Sequence, residues 1–97
     1  MRDYELVFIV NPEVGDEGVQ VTVDRVHGFI QEHGGEVKEC EQWGKRRLAY
    51  PIKRQAEGFY VVSQIKVEPD GVRALEGNLD LAEDVLRHLV TRAEEVN

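Results

Sequence analysis

The hydrophobic positions of this chain repeat with two different periods. In "YELVFIV", Tyr4, Leu6, Phe8 and Val10 alternate with Asp3, Glu5, Val7 and Ile9, and the aromatic and β-branched content suits a strand. The second set is polar at its start and apolar at its end, which predicts a central strand. Asn11-Pro12 ends it. Asp16 is then the expected N-cap of a helix, with Glu17 in the first turn, where the helix dipole favours an anion. Val19, Val23, Val26 and Ile30 follow as one apolar stripe at helical spacing. Gly34-Gly35 is the expected stop, because glycine accepts the left-handed conformation that closes helices.

Residues 36–52 read as a long strand interrupted at Gly44, where a bulge or bend is expected; beyond it Leu48, Tyr50 and Ile52 alternate. "KRQAEG" reads as a turn or loop. "FYVVSQIKV" is a third strand, with Phe59, Val61, Ser63, Ile65 and Val67 on one face. Pro69 and Asp70 open a second helix carrying Val72, Leu75 and Leu79. "DVLRHLVTR" is a fourth strand, on which Leu86, His88 and Val90 are expected to share the core face. Residues 93–97 are expected to form a short C-terminal tail.

"VNPE" and "VEPD" each end a strand with proline and an acid before a helix, an internal echo. The order β-α-β-β-α-β therefore predicts an α+β, ferredoxin-like domain over residues 1–92. Two right-handed β-α-β halves interleave into a four-stranded antiparallel sheet of order 4-1-3-2, with both helices on one face. Strand two then lies at an edge. The opposite sheet face is left open, and Val7 and Ile9 at its centre call for a cover.

Composition narrows the class. Ninety-seven residues make one domain, and 41% hydrophobic with 32% charged residues describes a globular chain, not a disordered one. The single cysteine, Cys40, excludes an internal disulfide and a metal-type cysteine pair, which suits a reducing cytosol. No apolar run approaches the roughly 20 residues of a membrane span. Arg2 and Asp3 lead straight into a strand pattern, so no signal peptide is expected, and the domain is expected to be cytoplasmic with no membrane partner.

The net charge of −7 argues against blanket attraction to nucleic acid. Its distribution tells more. Residues 3–41 hold ten acids and only Arg25 and Lys38 as Lys or Arg cations, whereas "WGKRRLAYPIKRQ" holds Lys45, Arg46, Arg47, Lys53 and Arg54 and no acid. One reading is protective: edge strands are blunted by Lys, Arg, proline and bulges against edge-to-edge pairing. The other is a phosphate-binding ridge in which Trp43 and Tyr50 offer rings for stacking on bases. The two are compatible, but protection alone rarely needs five uncompensated cations, and that favours RNA. Glu36, Glu39 and Glu41 form either a solvated strand face or a docking surface for a basic partner. Trp43 is either a lid on the core's edge or an interface anchor.

Catalysis finds no support. His27 and His33 are six apart on the first helix, too far to share a face closely, and His88 is expected to be structural. There is no Ser–His–Asp order, phosphate-cradling glycine loop or metal-ligand cluster. Gly15 and Gly18 flank the first helix start, but Asp16 and Glu17 oppose an anion there. No enzyme activity, cofactor, metal or small-molecule substrate is expected.

"MRDYE", "WGKRRLAYPI" and "VLRHLV" together resemble the bacterial small-subunit ribosomal protein six family, in the same order and spacing over about residues 1–92. The resemblance implies the ferredoxin-like fold, a pairing with the basic small-subunit ribosomal protein eighteen, and joint binding of the central domain of small-subunit rRNA. Arg2, Arg46, Arg47 and Arg87 fall on the family's basic positions. Lys53, Arg54 and Arg92 join them as RNA-binding candidates on charge and placement, and Val7, Ile9, Trp43 and Tyr50 are the partner-binding candidates. Asp3 departs from relatives that often carry a neutral or basic residue there, and many relatives have a longer tail. Two rival functions use the same fold. A small-molecule-sensing regulatory domain would pair with a second domain and carry a glycine-rich ligand loop. A compact phosphatase would need a phosphate cradle where "NPEVGDEG" is acidic.

Overall fold

The computed structural model describes residues 1–93; residues 94–97 of the expected tail lie outside the described residues. Strand β1 (Arg2–Val10) leads through a 3-10 turn (Pro12–Val14) into helix α1 (Gly15–Glu32). Strands β2 (Glu36–Ile52) and β3 (Gln55–Val67) form a hairpin, followed by helix α2 (Pro69–Leu81) and strand β4 (Val85–Arg92). The sheet order β2-β3-β1-β4 is the expected 4-1-3-2 read from the other edge, and every pairing is antiparallel.

Alternation in β1 does what the pattern predicts. Leu6, Phe8 and Val10 are fully buried against Val61 and Ile65 of β3, the α1 stripe Val19, Val23, Val26 and Ile30, and Leu75 and Leu79 of α2. Both helices therefore cover one sheet face. Each such side chain contributes about 1.5–3 kcal/mol of burial, so this layer dominates the folding free energy. The polar side chains of Thr22, His27 and Ser63 inside it find partners. His27 Nε2 lies 3.0 Å from Oγ of the buried Ser63, and Thr22 Oγ1 donates to Asp84 at 2.6 Å. Arg25 adds a 2.7 Å bond to the same Asp84 carboxylate, tying α1 to the α2–β4 loop. Burial alone would raise the Asp84 carboxyl; the hydrogen bonds from Arg25 and Thr22 and the Arg25 charge outweigh it and hold it below the ordinary range. Burial pushes His27 down from its usual value, an effect Asp24 partly offsets.

Four expectations need correction. Asn11, not Asp16, supplies the side-chain cap: its Oδ1 accepts from Glu13 N at 2.9 Å and starts the 3-10 turn, leaving Asp16 in the first turn of α1. "KRQAEG" is not a loop, because β3 begins at Gln55 and the connection shrinks to Lys53-Arg54. His88 does not share a face with Leu86. The register slips between Ile9 and Val10, so a bulge in β4 sends Leu86 to the open face while His88, opposite Phe8, stays on the helix side. Finally, Ile9 is not open: it is 6% exposed, packed with Leu48 and Leu86, so its cover comes from within the chain. Val7 beside it is half-buried.

Candidate nucleic-acid interface

The β1–β3 register ends at Val10 opposite Phe59, so residues 46–57 of the β2–β3 hairpin run past the end of β1. This arm bends over the open face. Leu48 and Ile52 reach Ile9 and Leu86, and Lys53 Nζ comes within 3.4 Å of Val85 O on β4. Two glycines permit the bend. Gly44 (φ 80°) takes the left-handed conformation at the bulge between Gln42 and Gly44. Gly58 lies where a Cβ would run into Ile9 Cγ2 and come within 3.5 Å of Leu86 Cδ1.

The hairpin turn itself is strained. Lys53 (φ 49°) and Arg54 (φ 69°) are both left-handed, the geometry of a type I′ turn that Asn-Gly normally fills. Two cations occupy positions that cost a non-glycine residue about 1–2 kcal/mol each. Nothing in the identities Lys-Arg signals such a turn.

The basic run is thereby displayed, not neutralised. Lys45, Arg46, Arg47, Lys53 and Arg54 are all exposed. Among the described residues none of them makes an ion pair; the pairs formed are Arg25–Asp84, Lys38–Asp3, His88–Asp80 and the N-terminus with Glu68. Aromatic groups orient the cations instead. The Arg46 guanidinium sits 5.3 Å from the Trp43 ring centroid, and the Trp43 indole donates to Glu41 at 3.0 Å. Lys45 lies 5.7 Å from the Phe59 ring. Arg87 Nη1 donates to the Tyr50 hydroxyl at 2.7 Å, linking β4 to the hairpin arm. Trp43 and Tyr50 remain about half exposed, at 48% and 57%, so their rings are available for further contact. Glu41 and Phe59 as orienting groups were not expected from the sequence; the i, i+2 spacing of Glu41 and Trp43 on one strand face was the available signal.

The candidates fall into two groups. Arg46, Arg47, Lys53, Arg54 and Arg87 gather around the hairpin arm. Arg2, opposite Val67, and Arg92, opposite Tyr4, lie at the other end of the sheet. Nine residues of β1 separate the two ends, a span of about 27 Å. One patch does not include them all.

Between the groups the open face carries a graded row structure. Glu36 and Asp3 flank Lys66, then Glu39, Gln64 and Glu5 align, then Glu41, Val62, Val7 and Leu89. The face thus passes from acidic, through apolar, to the basic hairpin arm. A depression of about 220 Å³ lies among Val7, Ile9, Tyr60, Arg87 and Leu89, and Leu89 is 58% exposed. Of the partner-binding candidates, Val7 and Ile9 line this depression, Tyr50 is tied to its lining through Arg87, and Trp43 stands exposed on the edge strand β2. Among the described residues no three His, Cys, Asp or Glu side chains come together as a metal-like group, and no helix is long and apolar enough to cross a membrane.

Comparison with known proteins identifies the family and matches the fold. A family described as Ribosomal protein S6 matches residues 3–92. The small ribosomal subunit protein bS6 of Carboxydothermus hydrogenoformans is 39% identical over 94 residues, covering 97% of this chain and 98% of that protein. The bS6 of Moorella thermoacetica is likewise 39% identical, over 98% of this chain and 97% of its own length. The crystal structure of 30S ribosomal protein S6 from Thermotoga maritima superposes with a TM-score of 0.90 at 31% identity, covering 95% of this chain and 87% of that one.

Proposed function

The chain belongs to the ribosomal protein S6 family, and from that premise we propose that it binds small-subunit rRNA together with the small-subunit ribosomal protein eighteen. The family role is that of a structural constituent of the bacterial small ribosomal subunit. The finer reading assigns rRNA phosphate contact to Arg46, Arg47, Lys53, Arg54 and Arg87, with Arg2 and Arg92 as a separate contact at the far end. It assigns protein contact to the open face around Val7, Trp43 and Tyr50, with Ile9 beneath. The chain works by assembly and not by catalysis.

One observation carries this reading: a run of five exposed cations that make no ion pair among the described residues, two of them set against aromatic rings, on a chain of net charge −7. The global field repels RNA, so a local patch must win at close range, within roughly one Debye length of about 8–10 Å. The acidic rows through Glu36, Glu39 and Glu41 lie beside that patch and suit a cationic protein partner. Such a partner offsets the repulsion and supplies phosphate contacts that this chain lacks.

The test is a titration of central-domain rRNA with and without protein eighteen. Binding is expected to be weak for this chain alone and tighter for the pair, and Arg46→Ala is expected to flatten the slope of log K against log salt by about 0.7–0.9. Equal affinity with and without the partner would remove the shared-load argument, and an unchanged slope would return Arg46 to edge protection.

A further inference from the structure

We infer that Asp84 is a positioning residue for RNA binding: it anchors the start of β4, and the start of β4 is the seat of the hairpin arm. The inference rests on the RNA reading above. It adds to that reading an acidic residue that acts through the arm and not through a contact of its own.

Asp84 lies in the turn between α2 and β4 and is gripped from two elements. Its carboxylate accepts from Thr22 at 2.6 Å and from Arg25 at 2.7 Å, both on α1. Its backbone carbonyl accepts from Asn11 N at 2.8 Å, just past the end of β1. The Asp84 side chain is 20% exposed, and Thr22 is buried. Hydrogen bonds to an ionised and largely covered carboxylate are among the strong ones. The point where β4 begins is thereby fixed to α1 and β1 together.

Each of the next three residues then holds the arm. Val85 offers its carbonyl to Lys53 Nζ at 3.4 Å. Leu86 packs with Leu48 of the arm and with Ile9. Arg87 Nη1 donates to the Tyr50 hydroxyl at 2.7 Å. The bulge makes this sequence of grips possible. Ile9 pairs with Arg87 and Val10 with Val85, so Leu86 is the inserted residue and shares the open face with Arg87. A slip of one residue there would turn Leu86 away from Leu48 and break the bond to Tyr50. Asp84, bonded to α1 two residues upstream of Leu86, opposes that slip.

The arm depends on this seat. Residues 46–57 run past the β1–β3 register, and their hold on the rest of the chain is chiefly residues 85–87, Ile9 and one exposed bond from Gln55 to Glu13 at 2.9 Å. An arm already in place loses less conformational freedom when its cations meet phosphate, so seating is read as affinity. The charge of Asp84 separates this role from simple electrostatics. Removing its carboxylate takes one negative charge from a chain of net −7 and frees the Arg25 guanidinium, and by charge alone both changes favour RNA. Loss of the seat acts in the opposite direction.

The experiment measures affinity for central-domain rRNA, with protein eighteen saturating and salt varied, for the full chain and its Asp84→Ala and Thr22→Val variants. Thr22→Val removes one bond to the carboxylate without changing charge, and it keeps the test open if Asp84→Ala does not fold. Circular dichroism establishes which variants are folded, and hydrogen exchange reads the arm. Asp84→Ala is expected to bind roughly three- to tenfold more weakly despite its lost negative charge, and Thr22→Val to move the same way by less. The slope of log K against log salt is expected to stay that of the natural chain, because the phosphate contacts of the bound state are kept. Amides of residues 46–57 are expected to exchange faster, with far less change at Val61 and Ile65 in the main core. Equal or tighter binding by the folded variants, or weaker binding with no change in exchange of the arm, would overturn the positioning role and leave the RNA reading standing. No saturable binding by the natural chain would overturn both.

Discussion

On the helix side of the sheet, thirteen buried residues from five elements interlock around Phe8, Leu6 and Ile30. On the other side Ile9, Leu48 and Leu86 form a small buried cluster, with Val62 buried beside Val7, beneath a hairpin arm whose cations make no ion pair among the described residues. Burial of this unequal extent implies unequal stability. The helix side contains most of the apolar area and hence most of the hydrophobic free energy. The open side has enough grip to hold the arm near β4 and little more. What the contrast teaches is a division of labour: one layer makes the fold, and the other sets where Arg46, Lys53, Arg54 and Arg87 point.

A pair of truncations tests that division most severely. Phe8→Ala is expected to cost about 3–5 kcal/mol and to lower the protection of the whole sheet, because it empties the centre of the main core. Leu48→Ala is expected to cost about 2–3 kcal/mol, with faster amide exchange concentrated in residues 46–57 and Val85–Arg87. Urea melts give the first quantity and hydrogen exchange the second. If Leu48→Ala loosened β1 as much as the arm, the two sides would be one cooperative unit and the contrast would collapse.

The next effect separates the two sides by pH. His27 sits in the helix layer against Ser63, and burial lowers its folded value below the ordinary 6.5. A histidine with a depressed folded value binds fewer protons when folded than when unfolded. Its contribution to stability is therefore whole above pH 6.5 and is lost as pH falls below 6.5 through the lowered folded value. Denaturation midpoints are expected to drop across that window, and His27→Gln is expected to remove most of the drop. Lower pH thus weakens the layer that holds the fold. A midpoint that rises as pH falls through the window would reverse the sign of the His27 argument.

How far the sequence revealed this follows from how local each signal is. The alternation in β1, the α1 stripe and the Gly34-Gly35 stop depend on neighbours a few residues away, and the core they imply is the core observed. Ile9 was misjudged because its cover, Leu48 and Leu86, arrives from distant positions through the bend of the arm. His88 was assigned a face by counting twos, which a bulge in β4 invalidates. The same holds for the candidate site. The cations of residues 45–54 were legible as a run, since they are adjacent in the chain. That Arg87 would join them through Tyr50, while Arg2 and Arg92 would lie at the far end, is a property of strand order and register.

The smallest effect bears on why the arm ends in Lys53-Arg54. A left-handed residue with a side chain costs about 1–2 kcal/mol, and replacing it by glycine recovers that, less about 0.5–1 kcal/mol of extra entropy in the unfolded chain. Arg54→Gly is therefore expected to stabilise the protein by about 0.5 kcal/mol, read from urea melts at neutral pH. If Arg54 also meets phosphate, the same change is expected to flatten the salt dependence of rRNA binding by about 0.7–0.9. Opposite movement of the two readouts in one variant means that the turn retains strain because it carries charge. Gain of stability with no change in the salt slope would leave the strain at Arg54 without a function, and the proposed phosphate ridge would end at Lys53.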